Sequence, residues 1–121
     1  EKTDSDKVIT GDKDLILQNS NKIELTEHLF DKDALIFPNV KSNYVILNEK
    51  KAGKHIRFAF GDSPFLAIWA KPAAPFVCIE PWYGVNDSYE KTTDFSKKRG
   101  IQKLSSDEKF EFSWSAEFKE D

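Results

Sequence analysis

Short stretches in which apolar and polar residues alternate one by one limit this chain more than any other feature. Ile56, Phe58 and Phe60 alternate with His55, Arg57 and Ala59, and Phe110, Phe112, Trp114, Ala116 and Phe118 alternate with Glu111, Ser113, Ser115 and Glu117. A period of two places each set on one face of a β-strand, so residues 110–118 are predicted to form a long strand with one buried and one wet face. Apolar runs at 33–37, 44–48 and 65–70 add strands, the last apolar on both faces as expected of a covered central strand. Residues 14–18 and 22–26 are shorter strand candidates around the turn Asn19-Ser20-Asn21, and residues 26–30 have room for a single helical turn capped by Thr26. Gly61-Asp62-Ser63-Pro64 is a strong turn, residues 39–43 and 72–75 are connections, and residues 84–100 form a polar irregular loop. The sum is about eight or nine strands with almost no helix, which predicts an all-β antiparallel sandwich.

A length of 121 residues suits a single domain, here 1–121, with residues 1–12 as a polar lead-in. With 39% hydrophobic and 32% charged residues, the chain is expected to fold in water and to be neither disordered nor membrane-embedded. A net charge of -3 comes from intermixed Lys, Asp and Glu. Without a basic block to follow a phosphate backbone, no nucleic-acid partner is expected. No apolar run approaches the roughly 20 residues of a membrane span, so no membrane partner is expected either. The single cysteine, Cys78, excludes an internal disulfide and permits a reducing cytoplasm. Because the sequence has no Met, the expectation is a later portion of a longer chain.

Glycine-rich phosphate loops, the Gly-x-Ser-x-Gly elbow and His-Glu-x-x-His are all absent. Neither His28 nor His55 has a ligand partner at diagnostic spacing, so both are read as structural or surface residues, with no metal and no organic cofactor expected. Lys97-Lys98-Arg99 is read as a solvated charge run, with an anion contact as the alternative.

What remains is the stretch at 75–87, Pro-Phe-Val-Cys-Ile-Glu-Pro-Trp-Tyr-Gly-Val-Asn-Asp. Alternation puts Phe76, Cys78, Glu80 and Trp82 on one face, so a carboxylate lies among apolar neighbours. Burying an ionised carboxylate is costly unless it is paired or hydrogen-bonded. Either Glu80 tips into solvent where Pro81 interrupts the ladder, or it meets a partner or a substrate. Trp82 shares its face, Tyr83 follows, and Trp69 lies on the preceding strand. Sugars present one face of C–H bonds and a rim of hydroxyls, so indole platforms beside carboxylates suit them, although a tryptophan near a strand end is more often core than platform.

The string at 76–87, with Asp33-Ala34-Leu35-Ile36-Phe37 upstream and Lys98 to Gly100 then Leu104 downstream, resembles the C-terminal portion of the aldose 1-epimerase (galactose mutarotase) family, in particular its LacX-type bacterial branch. The likeness runs from about Leu15 onward, and its sharpest motif is Cys-Ile-Glu-Pro-Trp at 78–82. The resemblance implies part of a large β-supersandwich and an isomerase of carbohydrate metabolism that interconverts the α and β anomers of a free aldohexose. It implies Glu80 as the base that takes the proton from the anomeric hydroxyl, Asp33 as a residue that hydrogen-bonds sugar hydroxyls, and Trp69 and Trp82 as pocket walls. The family's histidines, one of them the acid that protonates the ring oxygen, come from its N-terminal half, and His28 and His55 do not stand in those motifs. This chain alone is therefore expected to be inactive. Two other readings stay open: a non-catalytic carbohydrate-binding sandwich using Trp69, Trp82 and Asp33, and an interaction domain. Exposed sheet edges would favour a homodimer or association with a missing N-terminal half.

Overall fold

The computed structural model describes residues 20–88 and 94–120. Among these residues six strands form two antiparallel three-stranded sheets: β1 (Leu35–Pro38), β4 (Phe65–Trp69) and β5 (Cys78–Trp82) in one, and β2 (Tyr44–Asn48), β3 (Lys54–Ala59) and β6 (Ser115–Glu120) in the other. A 3₁₀ turn at Phe95–Lys97 interrupts the long connection before β6. The fold is all-β, consistent with the sandwich expected from the alternation.

Each sheet is ordered β1-β4-β5 or β2-β3-β6, so the chain passes from one sheet to the other between β1 and β2 and returns between β3 and β4. The return is made by the Gly61-Asp62-Ser63-Pro64 turn, as predicted. β4 is the central strand of its sheet, and Phe65, Leu66 and Ala67 are all buried, which explains why this stretch shows no polar face. Phe30, Ile36, Phe60, Ala70 and Val85 complete the buried apolar set. Pro81 lies inside β5 opposite Leu66; β5 is the last strand of its three, where a sheet tolerates a residue without an N–H.

Two strand expectations fail. Residues 22–26 pair with no strand among the described residues. Ser20 instead closes a local turn, its Oγ accepting from Lys22 N–H at 3.1 Å, and Glu24 takes an ion pair from Lys50. The long strand expected over 110–118 begins only at Ser115 and runs to Glu120. Before it, Phe110 and Phe112 pack their rings against Tyr83, with centroids 4.8 and 5.5 Å away, and the segment joins no ladder among the described residues. The expected buried face is also wet: Phe118 is 76% exposed. Residues 26–30 form successive turns, with Leu29 N–H donating to Thr26 O and Asp31 N–H to His28 O. The lead-in at 1–12 and the strand candidate at 14–18 lie outside the described residues. Among the described residues, no helix is long and apolar enough to cross a membrane.

Candidate functional site

The register of the first sheet builds the site. Ile36 pairs with Ala67 and Ala67 with Glu80, so these three side chains form one row on one face. The next row on that face is Pro38, Phe65 and Trp82, and on the other side of Glu80 stand Trp69 and Cys78. Ile36 is 2% and Ala67 0% exposed, so the wall behind Glu80 is dry. Glu80 itself is half-buried. The Trp82 indole Nε1–H donates to Glu80 Oε2 at 3.0 Å. The β5 ladder continues through Pro81 to Trp82 rather than ending there, and the carboxylate turns along the sheet to the indole. Its Oε1 has no hydrogen-bond partner among the described residues.

The far end of β5 is clamped from two sides. The buried Ser63 hydroxyl lies 2.8 Å from the Phe65 carbonyl and 2.9 Å from that of Trp82, so its one proton ties the start of β4 to the end of β5. From the other side come residues 98–100. Lys98 Nζ reaches Asp87 Oδ1 at 2.8 Å, the Arg99 guanidinium lies 4.8 Å from the centre of the Phe65 ring, and Gly100 rests on the Tyr83 carbonyl. Val85, buried beside Phe65, packs against Trp82. The basic run is thus not a simple solvated patch. Lys97 pairs with Asp94 at 3.4 Å, whereas Lys98 is only 25% exposed and faces the other way. The Asp94 carboxyl is held below the usual carboxylate range, first by the Ser96 hydroxyl and then by the Ser96 backbone N–H.

Just past this clamp the Tyr83 hydroxyl donates to Asp62 Oδ1. That bond to a carboxylate, with burial and the charge itself adding to it, pushes the phenol up to about 12. Its folded value lies above the ordinary value of about 10, so the bond's contribution to stability is whole below pH 10 and is lost as pH rises toward 12. Tyrosinate absorbance is expected to show one phenol ionising near pH 12, and Asp62→Asn to return it to about 10. A titration unchanged by Asp62→Asn would refute the pairing.

Of the residues singled out by sequence, Glu80, Trp82 and Trp69 share one face of one sheet, and Trp69 packs edge-on against Phe76 at 6.1 Å between ring centres. Asp33 does not join them directly. It lies two residues before β1, outside the paired register of the sheet, with β4 between β1 and the strand that carries Glu80. Its φ of 107° takes it out of the strand's alternation. His28 Nδ1 lies 3.0 Å from Asp31 Oδ2 on an exposed turn, and His55 pairs with Asn48 and Lys119 in the other sheet, so neither histidine stands beside Glu80. Among the described residues, no group of three or more His, Cys, Asp or Glu is placed to hold a metal ion. An open depression of about 410 Å³ lies between residues 39–43 and 60–64, and Glu80 is not among its lining residues. Ser63 was not singled out by sequence, and Gly100 entered only with the 98–100 stretch of the family likeness: a serine in a turn and a glycine in a polar loop carry no signal of the strand ends they hold.

Over 94 residues the chain is 33% identical to two forms of Protein LacX from Lactococcus lactis subsp. lactis, one plasmid and one chromosomal. The match takes in 77% of this chain but 31% of each LacX, so the chain spans less than a third of the length of the curated relatives it matches. The similarity is to LacX proteins as such, and their names state no reaction. No family model matches the chain. No solved structure matches it significantly.

Proposed function

We propose that this chain carries the proton-accepting half of an aldose 1-epimerase site of the LacX kind, in which Glu80 removes the anomeric proton of a free aldohexose and so opens the ring. The observation that carries the reading is the carboxylate of Glu80: half-buried on a dry wall, held through Oε2 by the Trp82 indole, with Oε1 left for a sugar hydroxyl. A base fixed by one oxygen and presenting the other is set for proton transfer without first having to be ordered. Trp69 and Trp82 would meet the C–H face of the sugar, and Asp33 would contact hydroxyls at the opposite end of the sheet. The acid that protonates the ring oxygen would come from a histidine outside this chain, because His28 and His55 lie away from the Glu80 face. The two sheets would then be part of a larger supersandwich, acting in a reducing cytoplasm where Cys78 stays a thiol.

Polarimetry of α-glucose or α-galactose tests the reading. This chain by itself is expected to give no rate above the water background, and a robust rate would overturn the need for an outside acid. A LacX-length protein containing the segment is expected to accelerate mutarotation.

The position of the two histidines also favours a second reading, in which the same face binds sugar and makes or breaks no bond. Calorimetric sugar binding by the LacX-length protein, with a mutarotation rate no faster than buffer, would select that reading over the first.

A further inference from the structure

The second sheet ends in an edge that no strand covers among the described residues. β6 is the outer strand of β2-β3-β6, every residue of it is exposed, and no other strand pairs with its outer side among the described residues. Hydrogen-bond parity tells which of its backbone groups point outward. Glu49 N–H donates to Lys54 O and Phe60 N–H to Asn43 O, so in β3 the residues Lys54, Ile56 and Phe58 turn their backbone groups to β2. His55, Arg57 and Ala59 then turn theirs to β6, where they engage Lys119, Glu117 and Ser115. Ala116, Phe118 and Glu120 are left with N–H and C=O directed at the open edge.

The side chains of that edge repeat the pattern in a self-matching form. Reading outward from Phe118, Glu117 precedes it and Lys119 follows it. Edge strands are commonly protected by charged side chains, lysine above all, that disfavour a second strand. Here the two charges are opposite and flank the centre symmetrically; within the strand Lys119 Nζ already lies 3.2 Å from Glu117 Oε1, and a second antiparallel copy offers each of them a further partner of opposite sign. On the other face Phe118 is 76% exposed beside Ile56, its partner in the register, and Trp114, itself 59% exposed, stacks on Phe58 at 5.6 Å. Large aromatics left this open on a strand edge mark an association surface.

We propose that two copies of this chain pair antiparallel along β6 about a two-fold axis at Phe118, placing Glu117 opposite the partner's Lys119 and joining the two three-stranded sheets into one. In this register Phe118 meets the partner's Phe118, and Ala116 meets the partner's Glu120. These are the positions whose backbone groups point outward, so about six hydrogen bonds can form without breaking any within a sheet. The charged pairs fall on the face opposite the aromatics. The axis is closed, so the assembly stops at a dimer.

The test is light scattering coupled to size exclusion over a range of concentrations, using the 121-residue chain. A dimer at high concentration that dissociates on dilution is expected. Glu117→Lys sets like charges across the axis twice and is expected to weaken association about tenfold, and the double change Glu117→Lys with Lys119→Glu is expected to restore it. Phe118→Pro removes an outward N–H while leaving the bonds to β3 intact, and is expected to abolish the dimer with the β-sheet circular-dichroism spectrum unchanged. A chain that remains monomeric into the millimolar range, as it would if another polypeptide segment occupied this edge, overturns the proposal. So does a dimer indifferent to the charge changes, or growth into larger assemblies.

Discussion

Glu80→Gln, introduced into a LacX-length protein containing this segment, is expected to lower the rate of mutarotation by about 10²- to 10⁴-fold, the usual contribution of a positioned acid or base. The amide has the size of the carboxyl and can accept the Trp82 N–H through its own oxygen, so the contact now made at 3.0 Å can persist. What disappears is proton affinity. The effect should therefore fall on kcat more than on KM, since a binding contact shared by substrate and transition state would appear chiefly in KM. Melting temperature should move little. Undiminished activity in this variant would sink the assignment of the base. An equal loss in Trp82→Phe, which leaves the carboxylate in place without its donor, would show that orientation rather than basicity limits the rate.

Gly100→Ala is expected to be the most damaging single change to the fold around that carboxylate. At Gly100 φ is +77°, where a Cβ costs roughly 1–2 kcal/mol by itself. A Cβ built there would also lie 2.2 Å from the Tyr83 carbonyl oxygen and 3.0 Å from the Phe65 ring. The carbonyl belongs to the backbone at the end of β5 and cannot swing aside as a side chain would. A loss of at least about 2–3 kcal/mol follows, which for a domain of this size lowers the melting temperature by roughly 10 °C or more. The turn at 98–100 would lift off β5, carrying Lys98 from Asp87 and Arg99 from Phe65. Thermal unfolding by circular dichroism measures this directly. A melting temperature within a degree or two of the wild type would show that the turn does not bear on the strand.

How far the fold could be read from sequence varies from strand to strand. β2 was expected over 44–48 and is found at Tyr44–Asn48, and β4 was expected over 65–70 and is found at Phe65–Trp69. Both are dense in branched or aromatic residues and are bounded by turn residues, so local preference and tertiary pairing agree. The segment at 110–118 misleads because alternation reports only that a strand would have two unlike faces. It does not report whether a neighbouring strand is there to pair with. Phe110 and Phe112 make ring contacts with Tyr83 instead, and only Ser115–Glu120 pairs with β3. The same limit applies to residues 22–26.

The placement of Glu80 and Trp82 on one face was determined by sequence alone, because a strand's period of two is a property of its backbone and holds wherever the strand is placed; Trp69, on the preceding strand, joins that face only through the register that sets it opposite Cys78. Sequence also posed the physical question, since a carboxylate set among Phe76, Cys78 and Trp82 must find a partner. Only the tertiary structure supplied the answer. The Trp82 indole meets Oε2, a dry row from Ile36 and Ala67 backs the carboxylate, and residues 63 and 98–100 clamp the strand's end. The indole contact is local to β5, but the others join positions far apart in the chain, and their existence depends on strand order and register. Those are set by how the whole chain buries its apolar surface, which no local pattern encodes.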